Sequence, residues 1–159
     1  GTLATTSNIR ELLTAARTYY VRTDGSDSNT GLVNSAGGAF LTIQKAIDTV
    51  GSIDMGVYQV TIQVGAGTYT TAIPFKNYVG ALSPVLQGDT TTPANVVINV
   101  TSADAITADA SPTWIIKGFQ VKTTTSGSPV HAKNGGKIYF DKLDFAASGG
   151  SHIFVEGVG

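Results

Sequence analysis

The sequence predicts an all-β fold, a parallel β-helix (solenoid) closed by an N-terminal capping helix and preceded by a short leading helix. Two observations predict it. Beyond about residue 57 helical periodicity disappears, and short alternating apolar runs are separated by Gly, Pro, Asn, Asp, Ser and Thr. Those runs also recur at a nearly fixed period. With "VTIQVGAG", "PVLQGDTT", "AITADAS", "PVHAKNGG" and "HIFVEGVG" aligned, Ile62, Leu86, Ile106, Val130 and Ile153 fall at steps of 24, 20, 24 and 23 residues. A second register pairs "WIIKGFQV" with "IYFDKLDF", so that Trp114 matches Ile138, Ile116 matches Phe140, Phe119 matches Leu143 and Val121 matches Phe145, each 24 residues apart. Strand alternation sends these residues inward, and Lys117-Gly118 and Asp141-Lys142 fall where the chain bends between strands. A repeat of this length built from short strands suits a stack of coils about 4.8 Å apart.

The elements preceding the repeat follow from local pattern. In residues 8–17, "NIRELLTAAR", Ile9, Leu12, Leu13 and Ala16 stand at helical spacing and Asn8 with Glu11 forms a capping-box pattern, which predicts the leading helix. That helix covers an apolar end or serves self-association. Residues 18–22 are strand by β-branched and aromatic content. In "FLTIQKAIDTV", Ile43, Ala46, Ile47 and Val50 give an apolar helical face with Thr42 as N-cap, suited to closing the raw end of a stack. The expected organisation is therefore residues 1–17 as a leading helix and oligomerisation stub, 18–56 as strand, turn and capping helix, and 57–159 as β-helix coils. With Gly1 first and a strand-like run ending beside Gly159, the chain is expected to be a piece of a longer protein.

Bulk composition narrows the partners. The 159 residues carry 42% apolar and 13% charged residues with a net charge of −1, enough apolar content for one domain with a real core. Charges are sparse and mixed, so neither a nucleic-acid stripe nor a polybasic membrane patch is expected. The absence of cysteine removes disulfides, thiolate nucleophiles and cysteine metal sites. No apolar run is long enough to span a bilayer, and no signal-peptide pattern opens the chain, so no membrane insertion is expected.

The run "TYYVRTDGSDSNTG", then "FLTIQKAID", then "VTIQVGAGTYT" resembles the opening of right-handed parallel β-helix proteins of the pectin-lyase-like class. The resemblance covers residues 18–71, and extends further only through the period. The preceding "NIRELLTAAR" resembles what precedes the β-helix in phage and prophage tail-spike or fibre proteins. This resemblance implies a structural and adhesive module of a virion appendage. It also implies a homotrimer that contacts other virion proteins and a host-surface polysaccharide. The alternatives it implies are a polysaccharide lyase or glycoside hydrolase, and a non-viral carbohydrate-binding protein of the extracellular space or cell surface. Fold analogy supplies an expectation of function rather than a site.

The spacing of Asp24, Asp27 and Asn29 in "TDGSDSNTG" lacks the alternating ligands and distal glutamate of a calcium loop, and reads as a turn whose Asx side chains satisfy backbone donors. A change at Asp24 is expected to loosen that end. Asp141 and Asp144 are a carboxylate pair, but the register sets them outward beside Lys117 and Gln120, a surface ladder more than a catalytic dyad. Asp89, Asp109, Lys133 and Glu156 share another outward column of mixed sign. The adjacent outward column, Gln63, Gln87, Thr107, His131 and Phe154, combines amides, a hydroxyl, an imidazole and a ring, the groups that hydrogen-bond and stack on sugars; a subunit contact or plain exposure accounts for it equally well. His131 and His152 lack metal-pair spacing, so neither metal nor other cofactor is expected. The lyases of the class use an arginine or lysine base, and here Arg10, Arg17 and Arg22 all precede the repeat. Catalysis in this chain would then fall to Lys117, Asp141 and Asp144, and the balance leans against an enzyme.

Overall fold

The computed structural model describes residues 9–157. Its strands are β1 (Arg17–Val21), β2 (Val60–Val64), β3 (Gly67–Tyr69), β4 (Ile73–Pro74), β5 (Val85–Gln87), β6 (Val96–Thr101), β7 (Ile106–Asp109), β8 (Trp114–Thr124), β9 (Val130–Lys133), β10 (Ile138–Phe145) and β11 (Ile153–Val155). One α-helix, α1 (Ile43–Ser52), and a 3-10 turn at Pro93–Asn95 complete the described elements.

The chain does not form the expected β-helix. Its strands make two parallel sheets, a seven-stranded sheet ordered β1-β2-β5-β8-β6-β3 with β10 on β8, and a four-stranded sheet ordered β11-β9-β7-β4. The larger sheet curls into a half-barrel. A solenoid would carry Ile62, Leu86, Ile106, Val130 and Ile153 as one column. Instead Ile62 pairs with Leu86 and Leu86 with Ile116, whereas Ile106 pairs with Val130 and Val130 with Ile153 in the other sheet. The irregular step from Leu86 to Ile106 marks where the column breaks. Alternation is the same in any half-buried parallel strand, so the pattern identifies strands without saying which sheet holds them.

β8 joins the parts of the larger sheet. It runs beside β5 along Ile115–Lys117 and beside β6 along Gln120–Thr124, while β10 follows it in register from Trp114 to Val121. Between the β5 and β6 segments Gly118 has φ +77°, and a side-chain Cβ there would lie 2.7 Å from the Asp89 carbonyl carbon and 2.8 Å from the Thr90 nitrogen. Glycine both adopts the conformation and permits the close approach.

Inward residues of both sheets form the core, with Ile62, Leu86, Ile98, Ile106, Trp114, Ile116, Phe119 and Val121 inaccessible to solvent. Trp114 stacks on Phe75 with ring centroids 4.7 Å apart and planes 2° from parallel, and donates its indole N–H to the Lys76 carbonyl at 2.8 Å. At one end α1 buries Ile43, Ala46, Ile47 and Val50, and Thr42 caps it by accepting from the Lys45 amide. The outer edge of β1 is occupied by the following connection, since Tyr20 donates to Gly31 and accepts from Phe40, and Arg22 donates to Phe40. At the other end β10 and β11 leave Tyr139, Phe140, Ile153, Phe154 and Val155 exposed.

The leading helix is also absent from the described residues. Residues 9–16 are irregular, and Asn8 of the expected capping box lies outside them. The Leu13 amide donates to Asp54 and the Asp54 amide to Glu11, a parallel bridge that takes backbone groups a helix would use. Leu13 is buried by it, while Ile9 and Leu12 remain 78% and 61% exposed, so the apolar helical stripe never forms. A helix of that length has little stability of its own to oppose this pairing.

Candidate functional site

The outward column of the sequence reading is divided between the sheets. Thr107, His131 and Phe154 are consecutive in register across β7, β9 and β11. Gln63 and Gln87 are neighbours on β2 and β5, where Gln87 Nε2 donates to Gln63 Oε1 at 3.0 Å. Gln63 Nε2 in turn donates to the backbone carbonyls of Gln87 and Gly88. These amides are committed to each other and to the sheet edge, so they no longer belong to the same face as Thr107, His131 and Phe154.

His131 is enclosed rather than presented. Its Nδ1 lies 2.5 Å from Asp104 Oδ2, its ring centroid 4.9 Å from that of Phe154, and its exposure is 7% against 43% for Phe154. Nε2 lies 3.2 Å from Glu156 Oε1, but the approach lacks hydrogen-bond alignment and leaves Nε2 without a partner. Asp104 is fixed independently, because its Oδ1 accepts from the Ser128 amide at 2.8 Å. Burial raises its pKa, yet the Ser128 amide and the His131 ring outweigh burial and hold the carboxyl below the ordinary 3.8. The imidazole therefore ties β9 to the loop before β7 through Asp104, while Phe154 of β11 lies against its ring. The accessible groups of the row are the Phe154 ring and the Thr107 hydroxyl.

Asp104 was not among the residues singled out from sequence, although it stands 24 residues before Ser128, the same spacing that relates paired strands. The mixed-sign column is likewise redistributed. Lys133 Nζ is 3.4 Å from Asp109, which also accepts from Asn134, whereas Asp89 accepts from Thr91, Thr92 and Asn95 at the 3-10 turn and Glu156 faces His131.

The catalytic alternatives are not gathered into a pocket. Lys117 is in register with Gln87 on one side and Asp141 on the other, and Asp144 accepts from Gln120 at 2.6 Å. Asp141 and Asp144 lie on the exposed strand β10, and neither they nor Lys117 line either of the two clefts below.

Two clefts meet at Thr23. One, of about 220 Å³, lies between the start of α1 and the β3–β4 corner and is lined by Thr23, Leu41, Thr42, Ile43, Gln44, Thr68, Tyr69, Thr70 and Thr71. The other, of about 300 Å³, is lined by Arg22, Thr23, Asp24, Gly65 and Ala66. Arg22 and Asp24 form a two-pronged ion pair at 2.8 and 2.9 Å, which lowers the Asp24 pKa through the Arg22 hydrogen bonds. Tyr69 donates its hydroxyl to the Gly65 carbonyl at 2.9 Å, and burial pushes its pKa up to about 12, so it remains a neutral donor.

Among the described residues, no group of three or more His, Asp or Glu side chains is arranged to hold a metal ion, and no helix is long and apolar enough to cross a membrane. Compared with known proteins, the chain matches no family model, no curated protein and no solved structure.

Proposed function

We propose that this chain is a structural and adhesive module of a phage or prophage tail spike or fibre, acting as a homotrimer beside other virion proteins and contacting a host-surface polysaccharide. The observation that supports this reading is the Thr107–His131–Phe154 row, in which a hydroxyl and an exposed ring are carried at fixed spacing on paired strands. An aromatic face with a hydroxyl two strands away, about 10 Å along the sheet, suits the C–H and O–H groups of an extended saccharide. His131, tied to Asp104, supports the underside of Phe154 and limits its motion. Lys117, Asp141 and Asp144 lie on neighbouring strands but line neither cleft, which favours binding over turnover.

Binding of the purified chain to a panel of bacterial capsular and lipopolysaccharide glycans tests the reading. Phe154→Ala is expected to weaken binding about tenfold, which corresponds to roughly 1.4 kcal/mol, with an unchanged far-ultraviolet spectrum. Sedimentation tests the trimer. Equal binding by Phe154→Ala, or release of unsaturated or reducing ends that Asp141→Asn or Asp144→Asn abolishes, refutes the adhesive assignment.

A further inference from the structure

At the opposite end of the molecule from Phe154, two clefts share Thr23 as a lining residue. At Thr23, β3 approaches the connection after β1 closely. Gly67, at φ +143°, faces Thr23 so tightly that a Cβ there would lie 2.5 Å from the Thr23 methyl carbon. Any other residue at 67 would push the two walls apart.

The chemistry of the lining is specific. Thr23, Thr68, Thr70 and Thr71 are all exposed, and their hydroxyls make no side-chain hydrogen bond to another described residue, so each offers a donor and an acceptor. Thr42, by contrast, is already engaged with Asp27 and Lys45. Leu41 adds a half-exposed apolar wall. The charges at the far end neutralise each other in the Arg22–Asp24 pair, and no other charged side chain lines either cleft. An anion would have to break that pair, and an apolar ligand would leave the hydroxyls without water or partner. A volume of about 220 Å³ on one side of Thr23 is below the usual range for drug-sized ligands of roughly 300–1,000 Å³, and suits a single small ring.

We propose that the cleft between α1 and the β3–β4 corner is a binding site for one ring of a neutral saccharide, with Thr23 at its boundary toward Arg22 and Asp24. The site is independent of the Phe154 face.

Titration of the ¹⁵N-labelled chain with methyl glucoside, methyl galactoside, methyl rhamnoside and N-acetylglucosamine, followed by amide chemical shifts, tests it. At least one sugar is expected to give saturable shifts at Thr23, Gln44, Thr70 and Thr71 with millimolar affinity. Replacing both Thr70 and Thr71 by Val, which keeps their shape and removes two exposed hydroxyls, is expected to weaken that binding at least fivefold. Phe154→Ala is expected to leave it unchanged, which separates this site from the proposed adhesive face. Absence of saturable shifts at these residues with all four sugars overturns the proposal, as does equal affinity in the double valine variant. Tighter binding of glucuronate than of methyl glucoside would overturn the neutral class.

Discussion

Asp27 holds Thr42 across fifteen positions of sequence: its Oδ1 accepts the Leu41 and Thr42 amides at 2.9 Å each, and its Oδ2 accepts the Thr42 hydroxyl at 2.7 Å. Thr42 in turn accepts from Lys45, so one carboxylate fixes the residue that starts α1. The acidic turn is therefore a clamp on the capping helix, and the residue that matters is Asp27 rather than Asp24. Asp24 is solvent-exposed and meets only Arg22.

Asp27→Ala is expected to lose about 2–3 kcal/mol of unfolding free energy, because partly buried amides and a cap lose a charged acceptor. Asp24→Ala should leave the urea midpoint close to wild type. Equal midpoints for the two variants would show that the clamp contributes nothing.

Gly118 and Lys142 fall at the one gap in the β8–β10 register, between the Lys117–Asp141 and Phe119–Leu143 pairs, both with positive φ, +77° and +51°. Gly118→Ala is expected to cost about 3 kcal/mol, combining left-handed strain with the clash against Asp89 and Thr90. Lys142 is exposed and has the same strain without the clash, so Lys142→Gly should stabilise by roughly 0.5–1 kcal/mol. Thermal unfolding of the two variants checks both signs.

The difference between what sequence revealed and what it concealed follows from range. On β10 Phe140 is 45% exposed and Ile138, Leu143 and Phe145 are only partly buried, because no described strand covers that end. The Trp114–Ile138, Ile116–Phe140, Phe119–Leu143 and Val121–Phe145 pairs nevertheless appear in the structure in the register read, fixed by the inward residues of β8. Bends at Lys117-Gly118 and Asp141-Lys142 were legible for the same reason. The wider column failed because β5 and β7 have the same alternation yet belong to different sheets, a choice set by the path of residues 88–105 and not by local pattern. The leading helix failed because Asp54, remote in sequence, captures the backbone at Glu11 and Leu13. In the candidate site, Thr107, His131 and Phe154 were visible as a stripe, whereas the contact of His131 with Asp104 joins a strand to a loop outside the strand pattern.

The stack of Phe75 on Trp114 provides a test of the core beneath this register. Trp114→Phe keeps an aromatic ring but removes the indole N–H that satisfies the Lys76 carbonyl, and leaves space beside Tyr78. A loss of about 2–3 kcal/mol is expected from the unpaired carbonyl and the volume change together. Chemical denaturation followed by far-ultraviolet circular dichroism measures it, and a loss below about 1 kcal/mol would mean that the site collapses around the smaller ring.

Acid stability should report on Asp104. Its folded pKa lies below the ordinary 3.8, so the folded state binds fewer protons than the unfolded chain in that interval. The contribution is present in full above the ordinary value and is lost as pH falls through the folded one. Glu11, Asp24, Asp48, Asp89 and Asp109 are shifted in the same direction, so the wild-type acid slope is a sum and only a difference isolates Asp104. Asp104→Asn keeps the shape while removing the charge beside His131. It is expected to be less stable than wild type at neutral pH, with the gap between the two urea midpoints closing as pH drops below 3.8. A gap that stays constant with pH would mean that Asp104 acts through its hydrogen-bond geometry to Ser128 alone, and that its charge contributes nothing to holding His131 of β9 against the loop before β7.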